Sequence, residues 1–274
     1  MAKVHLDKYY TKKSIAKKCI ALIPDFESYD TIIEPSAGNG VFSSQIQNSI
    51  AFDIEPEAKN IIKKDFLTIN NIEGNNKLFV GNPPFGERAL LAKKFIQHSI
   101  ILGAETIAFI LPDTFSKFLM QKTFPQNWNL IVEENLGKNS FEIDGETYHV
   151  PCSFFVWTKR ESNINLRKKE LPKPRKIKFL PRLSKNADFT INGNSGKVKE
   201  LTEVTNWKSE HYIKVLHPKE IDLIKSQMSD IKYKFKSSVN GGNAWISQYE
   251  ILEGYYSAEI EVVASSHAPT FLFS

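Results

Sequence analysis

Asn82-Pro83-Pro84-Phe85-Gly86 follows the apolar run Leu78-Phe79-Val80 and concentrates one amide, two residues without N–H groups and one aromatic ring in a single turn. The run reads as a buried strand, so the turn would carry its groups to a strand end, where open α/β sheets bind ligands. The chemistry that needs such a set is activation of an exocyclic amino nitrogen, whose lone pair is delocalised into its ring. If the Asn82 side-chain oxygen and the Pro83 carbonyl each accept one amino hydrogen, the nitrogen can pyramidalise and aim its lone pair at an electrophilic methyl. An aspartate there would add an unwanted charge. Pro83 and Pro84 offer no competing donors and fix their own φ, so the acceptors are held with little entropy left to lose. Phe85 can stack on the ring. Taken alone, Asn-Pro and Phe-Gly are also ordinary turn dipeptides.

Three upstream stretches carry complementary groups. Thr31-Ile32-Ile33-Glu34 runs into Pro35-Ser36-Ala37-Gly38-Asn39-Gly40, a strand followed by a glycine loop and a plausible helix from Val41 to about Gln47. Gly38 and Gly40 let backbone approach a ligand closely, and Glu34 can accept from a ligand ammonium. Ser43 stands where a phosphate-binding loop would have its third glycine, which makes a dinucleotide or nucleoside triphosphate a poor fit. The next strand, Ser49-Ile50-Ala51-Phe52, ends in Asp53, placed either to grip ribose hydroxyls or to be an ordinary surface carboxylate. In Lys64-Asp65-Phe66-Leu67, Asp65 can accept an amino hydrogen and Phe66 can cover a ring. Thr11, just before an apolar periodicity over Lys12–Ile23, is placed to cap a helix.

In this order, Glu34-Pro-Ser-Ala-Gly-Asn-Gly, Phe52-Asp-Ile-Glu-Pro, Lys64-Asp-Phe-Leu and Asn82-Pro-Pro-Phe resemble the motifs of the S-adenosylmethionine-dependent adenine-N6 DNA methyltransferases. Tyr9-Tyr10-Thr11 resembles their additional cofactor motif, Ile107-Ala-Phe-Ile-Leu-Pro-Asp their fifth-strand segment, and Val150 to Lys159 their late hairpin strand. The motif order is that of the gamma class, and the likeness covers roughly Asp7 to Lys159. The resemblance implies a doubly wound, Rossmann-like methyltransferase sheet of seven strands, closed by an antiparallel hairpin. It also implies that Tyr10, Thr11, Glu34, Ala37, Gly38, Gly40, Asp53, Asp65 and Phe66 bind S-adenosylmethionine. Of these, Glu34 and the Ala37–Gly40 backbone would hold the methionine part, Asp53 the ribose, and Asp65 with Phe66 the adenine. Asn82, Pro83 and Phe85 would then be catalytic, and Phe85 and Phe141 would sandwich a base flipped out of DNA. RNA amino-group methylation and protein glutamine methylation use the same turn chemistry and remain open, as does a non-catalytic nucleic-acid-binding subunit.

The elements that must position these groups read as alternating strands and helices: an amphipathic helix over Glu87–Leu102 and a strand over Leu130–Glu133 complete an α/β domain. At 274 residues, 41% hydrophobic and 24% charged, the chain has the composition of a globular protein with one large domain and a smaller partner. With only Cys19 and Cys152 and no paired Cys/His spacing, neither a disulfide framework nor a metal site is expected. No secretory leader or membrane span is legible, so an intracellular, cytoplasmic protein is expected.

Charge is unevenly distributed. Residues 1–150 carry 16 basic and 18 acidic side chains, whereas the remainder is +7 within a total of +5. Eleven basic and two acidic residues fall in Lys159–Lys185. This run is either a solvated face or a footprint for a polyanion. On the second reading Arg167, Lys168, Lys169, Arg175 and Lys176 contact nucleic acid. The expected division is a catalytic domain over 1–159, then a basic linker and target-recognition module over 160–274. In that module Phe189–Ile191 and Glu259–Ala264 read as strands and Lys219–Met228 as a helix. Its Val239-Asn-Gly-Gly-Asn-Ala-Trp-Ile turn and Tyr255-Tyr256 are either base contacts or a glycine turn with core aromatics.

Overall fold

The computed structural model describes residues 9–143, 146–233 and 245–266. The chain divides after Lys168 into two compact units. In the first, β1 (Tyr10–Thr11) leads into α1 (Lys13–Ala21), followed by β2 (Thr31–Glu34), β3 (Ile50–Asp53), β4 (Ile62–Lys63) and β5 (Lys77–Gly81). Next come α2 (Leu90–Ile101), β6 (Ala104–Pro112), α3 (Phe118–Gln121) and β7 (Asn129–Asn135), then the hairpin β8 (Phe141–Ile143) and β9 (Glu146–Tyr148), and finally β10 (Cys152–Thr158).

Seven strands form one sheet in the order β4-β3-β2-β5-β6-β10-β7. The neighbours from β4 to β6 are parallel, while β10 is antiparallel to both β6 and β7. This is the doubly wound sheet with a terminal antiparallel strand that the motif order implied. Every residue of β10 is buried, and β6 is buried along nearly its whole length, as strands covered on both faces must be. On α2 the buried residues Ala92, Phe95, Ile96 and Ser99 recur at three- and four-residue spacing, one stripe against the sheet.

The strand order reverses at β2, which has β3 on one side and β5 on the other. A crevice therefore opens beyond the carboxyl ends of β2 and β5, because their connections leave in opposite directions. Glu34 ends β2, Asp53 ends β3, Asp65 follows β4, and Asn82 follows β5. Three carboxylates and one amide, separated by up to 48 positions in the sequence, are thus gathered at one edge.

The hairpin β8–β9 leaves β7 at that same edge and pairs with β1 to make a three-stranded sheet, with Thr11 opposite Phe141 and Phe141 opposite Tyr148. Thr11 does not cap α1. Lys12 is the residue before the helix, and no side chain caps it, because Thr11 belongs to β1 and stands one residue ahead of the cap position. The helix expected over Val41–Gln47 is also absent. Only a single 3-10 turn, Ser43–Gln45, forms, because the Glu34 carboxylate captures the Ser43 N–H at 2.8 Å and Ile46 turns extended.

The second unit contains β11 (Ile177–Leu180), β12 (Phe189–Asn192), β13 (Val198–Lys199), β14 (Glu210–Val215), α4 (Ile221–Asp230) and α5 (Gln248–Ser266). Its strands form an antiparallel sheet in the order β11-β14-β12-β13. The strand expected over Glu259–Ala264 lies inside α5 instead. That helix starts at Gln248 with the Glu250 carboxylate accepting the Ser247 N–H at 2.6 Å, and once nucleated it runs through the short alternating stretch. Tyr255 is 2% exposed and packs with Ile213, Ile224, Met228 and Ile251, so it is a core residue. Residues 239–244 of the glycine turn lie outside the described residues. Among the described residues no helix is long and apolar enough to cross a membrane.

Candidate active site

The crevice holds a cavity of about 290 Å³. Its wall includes Tyr10, Thr11, Glu34, Ala37, Gly38, Asp53, Asp65, Phe66, Asn82, Pro83 and Phe85, so eleven of the residues expected to bind cofactor or target base share one space. Gly40 and Phe141 are not among the lining residues.

The glycine loop is tied down from within. Ala37 N–H donates to Phe52 O at 2.9 Å, Gly38 N–H to Asp53 Oδ2 at 2.7 Å, and Gly40 N–H to Ala37 O at 2.6 Å. A phosphate-binding loop instead keeps its N–H groups for the ligand. Gly38 has φ +52, and a Cβ there would stand 3.6 Å from the Tyr10 ring, so the aromatic residue of β1 lies over the loop. Tyr10 Oη donates to Glu57 Oε1 at 2.5 Å, which ties β1 to the segment after β3.

Asp53 has two tasks. Besides Gly38 N–H, it accepts Glu55 N–H through Oδ1 at 2.8 Å, so the residue expected to grip ribose also fastens the loop. Each oxygen keeps a further lone pair for a ligand. Asp65 accepts Leu67 N–H through Oδ1 at 2.9 Å and stays exposed at the cavity wall. Phe66 is 1% exposed, stacked on Phe95 at 5.3 Å and edge-on to Phe79 and His98. Most of its ring therefore belongs to the core. Ile54, 47% exposed and lining the cavity, is the apolar surface a flat ring could cover, and the sequence reading missed it. Its signal was its position next to Asp53, on the opposite face of the strand end.

Glu34 is 1% exposed and accepts Ser43 N–H through Oε2. Burial is the main reason its pKa is pushed up to about 7, with the Ser43 hydrogen bonds opposing and the Asp53 charge adding to the rise. Gly81 has φ +146, and a Cβ on it would lie 3.3 Å from Glu34 Cγ, so only glycine leaves the acid its full room.

Asn82 is held in a defined orientation. Its Nδ2 donates to Tyr9 O at 3.2 Å, and its backbone carbonyl accepts from Ser36 Oγ at 3.3 Å. Asn82 Oδ1 is buried and has no hydrogen-bond partner, and the same holds for Thr11 Oγ1 on the same cavity wall. An unsatisfied buried acceptor costs free energy unless a ligand supplies the missing donor. Phe85 is 6% exposed at the wall, and its carbonyl accepts Leu91 N–H at 3.1 Å and Ala92 N–H at 3.2 Å, so the turn doubles as the start of α2.

Phe141 is not the second wall of a base sandwich. It is fully buried in the core of the first unit, between Thr11 and Tyr148 in the three-stranded sheet. Tyr148, directly across the ladder from it, is 41% exposed and packs edge-on against cavity-lining Tyr9 at 6.4 Å. The exposed aromatic surface thus lies one strand further out than expected, a shift that only hairpin register reveals.

The expected phosphate contacts divide as well. Arg167 Nη1 donates to the Pro125 and Trp128 carbonyls and Nη2 to those of Gln121 and Phe124, while its guanidinium lies 5.4 Å from the Trp157 ring centre. It is a bracket for the turn after α3, not a cation presented to solvent. Lys168 N–H donates to Gln121 Oε1 at 2.8 Å. Lys169 and Arg175 are exposed, and Lys176 is half-buried.

The cavity wall carries five carboxylates, Glu34, Asp53, Glu55, Glu57 and Asp65, against one cation, Lys64. Such a wall repels phosphate and favours a ligand carrying positive charge. No family model and no curated protein matches the chain. Among solved structures, a "putative RNA methyltransferase PH1948" from Pyrococcus horikoshii is 14% identical, with a TM-score of 0.45 over 58% of this chain and 89% of the other. A "putative methyltransferase yhhF" from Escherichia coli is also 14% identical, with a TM-score of 0.37 over 55% of this chain and 88% of the other. Neither likeness bears on activity or substrate.

Proposed function

We propose that the chain is an S-adenosylmethionine-dependent methyltransferase acting on the exocyclic amino group of adenine in nucleic acid, with DNA as its first substrate. The observation that carries this reading is the partnerless Oδ1 of Asn82, an amide whose Nδ2 donates to Tyr9 O at the wall of an acid-lined cavity. An amide with its N–H side occupied and its oxygen unpaired is built to receive a donor, and an amino group is a neutral one.

The residues present fit the cofactor. Glu34 would take its ammonium, Asp53 its ribose hydroxyls, and Asp65 with Ile54 its adenine, while the orphaned Thr11 hydroxyl offers a further polar contact. Bound there, S-adenosylmethionine would supply a methyl group activated by a sulfonium. Asn82 Oδ1 and the Pro83 carbonyl accept the two amino hydrogens of the target, which localises the nitrogen lone pair. Phe85 gives one wall for the flipped base and the Tyr9–Tyr148 pair the other, offsetting the few kcal/mol of unstacking. The surplus proton of the methylated nitrogen leaves to solvent.

The test offers methyl-labelled S-adenosylmethionine with adenine-containing DNA, RNA or protein, and identifies the labelled product. N6-methyladenine from DNA is the expected result. Label in RNA adenine would keep the chemistry and move the substrate, and label in glutamine or none at all would overturn the reading.

A further inference from the structure

Three of the four residues Gly86, Glu87, Arg88 and Ala89 have positive φ: Gly86 at 66°, Arg88 at 51° and Ala89 at 59°. Two adjacent non-glycine residues in the left-handed region are strained, because their Cβ atoms crowd the backbone, and such strain collects where a ligand is gripped. Here it is imposed from both sides. Phe85 O receives Leu91 N–H and Ala92 N–H, Ala89 N–H closes on Gly86 O at 3.2 Å, and a Cβ on Gly86 would come within 2.8 Å of Leu91 Cβ. The result is an outward turn with the Arg88 side chain 87% exposed and Leu90 57% exposed. Phe85 and Leu91, the residues flanking this turn, both line the cavity, so the turn is its rim. Lys94, one helical turn beyond Leu90, is exposed on the same face of α2.

From this we infer that the Gly86–Leu90 turn and the first turns of α2 are the contact surface for the strand whose base enters the cavity, with Arg88 and Lys94 on its phosphates and Leu90 against its apolar edges. The inference rests on the proposed function and adds where the polyanion is held. An acid-lined cavity repels phosphates, so the strand that delivers a base needs cations outside the cavity and next to it. Arg88 meets that need, since its contact with Glu87, Nε to Oε1 at 3.8 Å, joins two side chains both more than 80% exposed and holds it weakly.

The experiment uses the full chain with a short fluorescent DNA duplex containing adenine, over a salt series, alongside calorimetric S-adenosylmethionine binding. Arg88→Ala should lower affinity for the duplex roughly tenfold at low salt and reduce the salt slope by about one, with cofactor affinity unchanged. Lys94→Ala should do the same more weakly, and Arg88→Lys should restore most of the slope. Arg88→Gly removes the cation while relaxing the left-handed strain, so it should fold at least as well as the parent and still lose the affinity. Parental affinity and slope in Arg88→Gly and Arg88→Ala would overturn the inference while leaving the methyltransferase reading intact. A parent chain that neither binds nor methylates nucleic acid would overturn both.

Discussion

At the scale of single residues, the unpaired Asn82 Oδ1 and the buried Glu34 make opposite demands on the site. Asn82→Ala should abolish methyl transfer while leaving S-adenosylmethionine affinity nearly intact, because the amide addresses the target and not the cofactor; retained turnover would remove the proposed mechanism. Glu34 has a folded pKa of about 7, above its ordinary value. Between pH 4.5 and 7 the native state therefore binds more protons than the unfolded one, and stability falls as pH rises through that window, by up to about 3 kcal/mol. Glu34→Gln should flatten this dependence in denaturant melts compared at pH 5 and pH 8. The cofactor ammonium favours the ionised carboxylate, so binding near pH 6.5 should release a proton in the parent and not in Glu34→Gln. Calorimetry in buffers of different ionisation enthalpy measures that release. The two aromatics of the hairpin should also separate. Phe141→Ala should cost about 3 to 5 kcal/mol of stability as a core truncation, whereas Tyr148→Ala should leave stability within about 0.5 kcal/mol and weaken turnover by the roughly 1 to 3 kcal/mol of a lost base stack.

At the scale of elements, the turn after α3 and the segment before Lys169 depend on one guanidinium. Arg167 donates to four backbone carbonyls, of which Pro125 O and Gln121 O also accept the Trp128 and Phe124 N–H groups, so Phe124 O and Trp128 O depend on it most. Arg167→Ala should therefore destabilise the chain by roughly 2 to 4 kcal/mol, through lost charge-assisted bonds and unsatisfied acceptors. Arg167→Lys should recover little of this, since an ammonium cannot reproduce the planar fork. Thermal melts measure the loss. A melting temperature unchanged in Arg167→Ala, together with a reduced salt slope of DNA binding, would return this residue to the phosphate footprint. The strand β1, with the residue before it, is a second such element: it brings Tyr10 over the glycine loop, and Tyr9 just ahead of it supplies the carbonyl that orients Asn82. Its two-residue length hides how much of the site it arranges.

At the scale of the whole molecule, the proposed function divides the labour: the acidic cavity would take a cationic cofactor and the basic second half a polyanionic partner. Nucleic-acid affinity should fall steeply with salt, and Lys169→Ala with Arg175→Ala should reduce the slope about equally for all base sequences, because exposed cations contact phosphates and do not read bases. A fluorescence salt series on the full chain provides the measurement, and sequence-dependent losses would mean that these residues read base edges. If the slope resides instead in Arg88 and Lys94, the first unit holds the strand and the role assigned to the second needs revision.

The sequence alone determined the doubly wound sheet and the polar groups at its carboxyl edge. Apolar runs ending in Glu34, Asp53, Lys64-Asp65 and Asn82 place one functional group at each strand end, because a parallel sheet sends every carboxyl end to the same edge. Only the tertiary structure decided which aromatic of the hairpin is exposed beside the cavity-lining Tyr9. Phe141 and Tyr148 look alike in a sequence, and the register that sets them across from each other, with one buried and the other exposed, depends on the distant pairing with β1. The same holds for Arg167, whose basic neighbours made it look like a phosphate ligand while four carbonyls from 121–128 claim it. Residue type specifies what a side chain can do; which partners reach it first is set by packing between segments far apart in the chain.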